Sequence, residues 1–332
     1  MNLYFPPFIY SFFLVSGTLI SISSSSLFGI WIGLEINLMS FIPIIINLEN
    51  NKKRREAAIK YFLIQAIASA VIIFRSIYFY LYGGSTFSCT PNVLVTLALC
   101  IKLGIAPFHF WFPEVLEGLN WVNSLLLLTW QKISPLVILS VFFYANTLLT
   151  LALISALAGS ISGINQTSIR KILAFSSISH LGWIGRIIYF NSSLWIDYFF
   201  IYCFTRFILC FSFWLLNLNY FSQLTLTQNI NEKFIIFINI LSLGGLPPLL
   251  GFLPKWIAII VIRRNFPILI VLIFSSLITL YFYTRICFST FTLYMQSMVW
   301  FKKNKTSKNF YILRILTSFS LIGIIPLRII NL

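Results

Sequence analysis

Long apolar runs, separated by short polar or Gly/Pro-containing segments, fill most of this 332-residue chain. An α-helix needs about 20 mainly apolar residues to cross a bilayer. By that measure the pattern predicts about eleven transmembrane helices, at 5–23, 25–47, 57–82, 91–118, 122–145, 147–165, 170–190, 194–217, 234–264, 266–290 and 310–330. The chain is therefore predicted to be an all-α, polytopic membrane protein, and no connection is long enough to hold a soluble domain.

Composition supports this prediction. Hydrophobic residues make up 59% of the chain and charged residues only 9%, whereas soluble domains carry about 25% charged residues. The net charge of +16 does not form a basic patch, because several bases lie singly inside apolar runs, and this argues against nucleic acid as a partner. The five cysteines are scattered without a C-x-x-C spacing, which argues against a metal or redox site.

The basic loops predict the orientation of the chain. They follow even-numbered spans, at 52–55, 170–171 and 302–308. Because Lys and Arg are enriched in loops on the cytoplasmic side of a membrane, these loops and the N-terminus are predicted to face the cytoplasm, or the matrix in an organelle.

Two of the predicted spans are interrupted by glycine and proline. The fourth contains KLGIAP (102–107), and the ninth contains GGLPP (244–248) followed by GFLPKW (251–256). Proline breaks a helix, and in lipid the freed backbone groups must be satisfied by protein or water. Two breaks five spans apart indicate two inverted five-helix repeats, 1–145 and 146–290, followed by a basic loop and a C-terminal transmembrane helix in 291–332. The alternative is a pair of unrelated proline kinks.

Five ionisable residues interrupt the apolar runs of the predicted spans: Glu35, Lys102, Lys132, His180 and Lys255. A charge at mid-membrane costs about 2.5–3.5 kcal/mol on insertion scales, so such residues are functional candidates. Burial disfavours an ammonium group and a nearby carboxylate favours it, so moving the carboxylate would pass the proton to the next base. Histidine can relay in either direction. The pattern predicts a proton relay; the alternative is that these side chains only reach the membrane surface or pack against carbonyls.

No enzyme motif accompanies these residues. The sequence has no phosphate-binding loop, no H-E-x-x-H and no G-x-G-x-x-G. His109 and Glu114 lie near one end of the fourth span and are interpreted as packing or interfacial polar groups rather than ligands.

Several longer strings resemble a known family. GLEINL (33–38), KYFLIQA (60–66), KLGIAPFHFW (102–111), QKISP (131–135) and GFLPKW (251–256) are similar to subunit 2 of NADH:ubiquinone oxidoreductase, respiratory complex I, an antiporter-like subunit. The resemblance runs along essentially the whole chain, and the length is similar to the shortened animal mitochondrial form.

The resemblance implies a function and roles for the five residues. In this family such subunits translocate protons, driven by quinone reduction elsewhere in the complex. Lys102 would pair with Glu35, Lys132 would connect them towards the far side, Lys255 would complete the path and His180 would be an intermediate. The alternatives are a stand-alone cation/proton antiporter of related fold and a structural membrane subunit.

The resemblance also implies the surroundings of the chain. It would lie in the mitochondrial inner membrane with its N-terminus in the matrix. Its partners would be other membrane-arm subunits, including adjacent antiporter-like and small glutamate-bearing subunits, together with lipids. The chain itself would hold no cofactor; FMN, iron–sulfur clusters and ubiquinone would be bound elsewhere in the complex.

Three arginines, Arg75, Arg186 and Arg206, fit this picture poorly because they interrupt apolar runs without an obvious acid to pair with. Members of the family that the chain resembles tend to have small polar or apolar residues at these positions. Many animal mitochondria read the codon AGA as serine, so we hypothesise that these arginines come from translation with another genetic code. Arg285, in contrast, resembles an arginine that is usual in the family.

Overall fold

The computed structural model describes residues 7–46, 51–82, 90–190, 193–226, 230–263, 265–292 and 317–318. The longer of these segments contain fourteen helices. They are α1 (Pro7–Ser23), α2 (Leu27–Ile46), α3 (Lys52–Tyr82), α4 (Thr90–Leu103), α5 (Trp111–Gly118), α6 (Trp121–Leu128), α7 (Trp130–Val141), α8 (Ala145–Ser162), α9 (Ile169–Tyr189), α10 (Trp195–Leu215), α11 (Phe221–Leu226), α12 (Ile230–Gly244), α13 (Phe252–Ile262) and α14 (Phe266–Thr292).

The predicted all-helical membrane class is confirmed. Across the described ranges there is no β-strand, only an isolated bridge between Ser168 and Tyr220. Within these ranges, seven helical stretches are long and apolar enough to cross a membrane, one of them formed by α6 and α7 together, and four shorter helices are apolar as well. Each of the first ten predicted spans coincides with one helix or two consecutive helices. The predicted eleventh span and most of 291–332 lie outside the described residues, so the total of eleven stays a prediction.

Three of the predicted spans are divided into two helices. The fourth consists of α4 and α5 and the ninth of α12 and α13, as the Gly/Pro pattern predicts. The fifth is also divided, between α6 and α7 at Thr129, whose φ and ψ are −118° and −70°. That division was not predicted, since no glycine or proline stands at it.

The two Gly/Pro breaks share one backbone pattern. Gly104 and Gly245 have positive φ values of 73° and 76°, which glycine adopts without strain. In each, the glycine N–H donates to the carbonyl three residues back and the next N–H donates five residues back, the hydrogen-bond pattern of a Schellman cap. An X-Pro peptide bond is cis in both segments, at Ala106–Pro107 and Pro247–Pro248. The following helix begins seven residues after the glycine in both cases.

The chain divides into two compact units, Met1–Leu151 and Ala152–Leu332. In the first, α2 packs against α1 and α3, and α3 packs against α4 and α5. In the second, α9 is the central helix. Of its most apolar stretch, 94% is buried, and α10, α13 and α14 pack against it. The division falls within α8. The assignment of these parts as repeats with boundaries at 145 and 290 stays a prediction.

Candidate functional site

Lys102 lies at the break of the fourth span. It is in the last turn of α4, just before Gly104, and is 7% exposed. Its backbone carbonyl accepts a hydrogen bond from Gln65 Nε2 of α3, at 3.2 Å. Because the C-terminal end of a helix carries partial negative charge, an ammonium group is electrostatically favoured in this turn.

Lys132 lies in the first turns of α7 and is 2% exposed. Its Nζ lies over the ring of Phe112, 4.9 Å from the centroid, a cation–π contact. Pro135, one turn further along α7, has no N–H to bond the carbonyl four residues earlier. The backbone around Lys132 is therefore more polar than that of a regular transmembrane helix.

The two lysines line one cavity of the first unit. The space in this cavity that the centre of a water molecule can occupy is about 20 Å³. That is enough for a single water. Its polar lining consists of the side chains Asn37, Tyr61, Gln65, Lys102, Gln131, Lys132 and Ser134. Ser134 Oγ is buried and has no hydrogen-bond partner among the described residues, as expected of a group that bonds to water in such a cavity.

Uncharged side chains form a hydrogen-bonded chain along this cavity. Tyr61 Oη of α3 donates to Gln131 Oε1 of α7 at 3.2 Å, and Gln131 Nε2 donates to Asn37 Oδ1 of α2 at 2.8 Å. Three helices are thereby joined around the space next to Lys102 and Lys132. Fully satisfied polar networks of this kind rigidify a buried site.

Glu35 lies near this site but does not contact Lys102. It is half-buried on α2 and does not line the cavity. Its carboxylate is within electrostatic range of Lys102, but among the described residues no ion pair within 4 Å joins the two side chains. The structure thus brings Lys102 and Lys132 to one cavity, with Glu35 beside it.

His180 lies in the middle of α9 in the second unit and is 7% exposed. Its Nδ1 is 2.8 Å from Tyr198 Oη of α10. The ring of Tyr202, one turn further along α10, lies 5.4 Å from the imidazole, centroid to centroid. The histidine is therefore in contact with two tyrosines of α10.

Lys255 lies in the first turn of α13, after the break of the ninth span, and is 7% exposed. Its Nζ donates to the Gly244 carbonyl at 2.7 Å, reaching back across the break to the last residue of α12. Lys255 is thus bonded to the C-terminal end of the preceding half-helix.

Carboxylates contribute little to the second unit. Of the acidic side chains that the structure describes there, Asp197 is the sole example, and it is exposed. Lys233 of α12 is 2% exposed, although the sequence pattern assigned it to a connection.

The remaining polar candidates do not form a metal site. No group of three or more His, Cys, Asp or Glu side chains that could hold a metal occurs in the described part of the chain. His109 is 8% exposed and stacks on Phe110, and Glu114 forms a half-exposed ion pair with Lys60. The four cysteines within the described ranges are free thiols, and Cys89 lies outside them.

The buried arginines differ in their surroundings. Arg186 and Arg206 are both 0% exposed. Arg206 donates to the Leu173 carbonyl and to Ser176 Oγ. The Arg186 guanidinium lies over two aromatic rings, but its Nε, Nη1 and Nη2 have no hydrogen-bond partner within the described residues. Arg75 is 9% exposed on α3.

We expect the natural protein to carry serine at position 186 when its peptides are sequenced by mass spectrometry. Arginine stays charged in proteins, and an unpaired buried charge is strongly destabilising, whereas a serine hydroxyl can bond its own helix, as Ser176 and Ser179 do. The exposed Arg285 of α14 is the internal control and should be read as arginine. Fragment ions that show arginine at 186 would contradict the hypothesis.

The chain is similar to a known family of membrane proteins and to chains of known structure. The family model described as NADH:quinone oxidoreductase/Mrp antiporter, TM, matches residues 24–280. A chain of respiratory complex I from Thermus thermophilus with bound aureothin has a TM-score of 0.84 at 21% identity, covering 98% of this chain and 79% of that chain. A chain of the Mrp complex from Dietzia sp. has a TM-score of 0.74 at 16% identity, covering 90% of this chain and 61% of that chain. The fold is therefore that of antiporter-like membrane subunits.

Two curated relatives are more similar in sequence. NADH-ubiquinone oxidoreductase chain 2 of Anopheles gambiae is 44% identical, covering 95% of this chain and 94% of its own length. The corresponding chain of Aedes aegypti is 41% identical, covering 98% of this chain and 96% of its own length. This protein belongs to the NADH:quinone oxidoreductase/Mrp antiporter family and, within it, to the NADH-ubiquinone oxidoreductase chain 2 subunits.

Proposed function

We propose that this chain translocates protons as a membrane-arm subunit of NADH:ubiquinone oxidoreductase, driven by quinone reduction elsewhere in the complex. The observation that carries the proposal is the pair of buried lysines, Lys102 and Lys132, that line one water-sized cavity without a carboxylate in its lining. Burial disfavours the charged form of a lysine, and a nearby carboxylate favours it. A lysine on this cavity is therefore disposed to release its proton when Glu35 moves away or when another positive charge arrives.

The proposed relay comprises Glu35, Lys102 and Lys132 in the first unit and His180 and Lys255 in the second. Lys102 would exchange its proton with Lys132 through water in the cavity, where Ser134 Oγ offers a further polar contact. Glu35, which acts on Lys102 without contacting it, would set which lysine holds the proton.

A cation/proton antiporter is the second candidate function, and the family model includes Mrp antiporters. Alkali and alkaline-earth cations bind to several oxygen ligands, such as carboxylates and carbonyls. The cavity instead presents two lysine side chains, which would repel a metal cation. The lining therefore favours the proton as the transported ion.

We further propose that 1–145 and 146–290 are two five-helix repeats, counted as transmembrane spans. Both have the same capped break, with the following helix beginning at the same spacing. A second correspondence supports the repeat. A Cβ on Gly17 of α1 would lie 2.8 Å from the Asn37 nitrogen of α2, and a Cβ on Gly159 of α8 would lie 2.6 Å from the Ser179 nitrogen of α9. An odd number of spans inverts the second repeat across the membrane, and a last helix would give eleven.

The surroundings of the chain follow from its relatives. The relatives are named as chain 2 of NADH-ubiquinone oxidoreductase, and the similar structures are chains of multisubunit membrane complexes. We infer contacts with adjacent antiporter-like subunits, with small glutamate-bearing subunits and with lipids of the mitochondrial inner membrane. The N-terminus would face the matrix, and FMN, iron–sulfur clusters and ubiquinone would be bound by other subunits.

Replacement of Lys132 by methionine tests the proposal in the assembled complex. Methionine keeps the length of the side chain and its packing on Phe112, but it cannot carry a proton. NADH-driven proton uptake into proteoliposomes should fall at least about tenfold. A complex with normal amounts of this variant chain and normal proton stoichiometry would reject the proposal and leave a structural role. Transport by the purified chain that requires sodium would favour the antiporter.

A further inference from the structure

The hydroxyl group of Tyr198 lies within hydrogen-bond distance of the His180 ring. The two residues belong to α9 and α10, and the distance from Tyr198 Oη to His180 Nδ1 is 2.8 Å. Tyr198 is 0% exposed and His180 is 7% exposed. A buried pair at this distance has a defined geometry, because neither group can exchange its partner for bulk water.

A histidine that transfers protons usually has its second nitrogen fixed by a hydrogen bond, often to a carboxylate or a carbonyl. A carboxylate would hold the proton on the imidazole, since it is negatively charged. Tyr198 is neutral, and its hydroxyl can accept a hydrogen bond from Nδ1–H. That hydrogen bond is the same before and after the other nitrogen, Nε2, gains a proton.

The helices around α9 bring no described carboxylate to this pair. Helix α8, which lies close to α9 at Gly159, has no ionisable side chain. The acidic Asp197 of α10 is exposed. The buried acid or base side chains of the other helices packed against α9 are Tyr198, Tyr202, Arg206 and Cys210 of α10, Lys255 of α13, and Tyr283 and Cys287 of α14.

We propose that Tyr198 is the positioning residue of His180 in proton translocation. Tyr198 Oη accepts a hydrogen bond from Nδ1–H, fixes the ring of His180, and makes Nε2 the nitrogen that binds one proton and releases it. Tyr202 also packs against the ring, with the two ring centroids 5.4 Å apart. The inference rests on the proposed function, in which His180 is part of the relay.

Tyr198→Phe in the assembled complex tests this role. The change removes one oxygen and keeps the ring, so the packing between α9 and α10 is preserved. The rate of NADH-driven proton uptake, expressed per assembled complex, should fall about three- to tenfold, as for the loss of one hydrogen bond at a reacting group. The pH dependence of the rate should also change, because an unfixed imidazole can take up its proton at either nitrogen.

Tyr281→Phe is the matched control. Tyr281 lies on α14 in the same unit and is 58% exposed, so the same chemical change there should leave both the rate and its pH profile as in the parent complex. If Tyr198→Phe behaves like Tyr281→Phe while His180→Gln lowers proton uptake, the positioning role is wrong and the relay stands.

The double variant His180→Gln with Tyr198→Phe separates positioning from packing. If Tyr198 acts through His180, adding Tyr198→Phe to His180→Gln should have no further effect on the rate. A further drop of the same size as in the single variant would overturn the proposal. Normal proton uptake in His180→Gln alone would instead remove His180 from the relay, and with it the basis of the inference.

Discussion

Replacing Lys102 with alanine is expected to abolish proton translocation by the assembled complex. Lys102 combines three features of the first unit. It lies within electrostatic range of Glu35, it stands at the break of the fourth span, and it lines the same cavity as Lys132. Without it, the proposed relay loses the buried base that lies within electrostatic range of Glu35. The rate of proton uptake should fall at least about a hundredfold, the scale of a lost acid–base group.

Lys60→Ala is the control for this experiment. Lys60 has a half-exposed side chain on α3 and pairs with Glu114. Surface ion pairs contribute about 0–1 kcal/mol to stability, so the Lys60 variant should assemble and pump as the parent complex does. Proton uptake should be measured in proteoliposomes together with the amount of complex on a native gel. Full pumping by the Lys102 variant would refute the assigned role.

Gly251→Ala is expected to prevent assembly of the chain into the complex. A Cβ at Gly251 would overlap the Ser242 carbonyl oxygen of α12, which is backbone and cannot rotate away. The half-helices α12 and α13 would have to separate, and the destabilisation should exceed about 3 kcal/mol, the upper end of ordinary overpacking. The measurement is the amount of chain in assembled complex on a native gel.

Gly244→Ala provides a matched control in the same break. Its added Cβ would come no closer than 3.5 Å to another residue, at Tyr283 Cδ2, and alanine is a better helix former than glycine at the end of α12. This variant should assemble normally. Equal assembly of both variants would show that α12 and α13 do not pack as closely as described.

Hydrophobic pattern alone predicts the helices of this chain well, because a membrane allows few alternatives to an apolar helix. It also predicts the two Gly/Pro breaks, since proline and glycine act locally. The division at Thr129 was missed because it depends on how α6 and α7 pack. Lys233 was missed for a similar reason: it is polar in a polar stretch of sequence, and its burial is evident only in the folded chain.

The candidate site was predictable in its charges but not in its neutral groups. A lysine or glutamate within an apolar run is costly and therefore conspicuous in sequence. Gln65, Gln131 and Ser134 are not, since a single amide or hydroxyl in a transmembrane helix is common. Their contribution depends on three helices meeting at one cavity, which no local pattern describes. The same holds for Tyr198, one of fifteen tyrosines in the chain.

The capped breaks place two of the three lysines of the proposed relay at the carbonyl end of a half-helix, by two different routes. Lys102 belongs to the last turn of α4, whereas Lys255 starts α13 and bonds back to the last carbonyl of α12. Such an end carries roughly half a negative charge. Unlike a carboxylate, the carbonyl end of a helix cannot take up a proton. It therefore acts as a fixed counter-charge that stabilises the lysine without competing for the proton that the lysine transfers. A chain with only seven acids thereby obtains counter-ions from its own backbone.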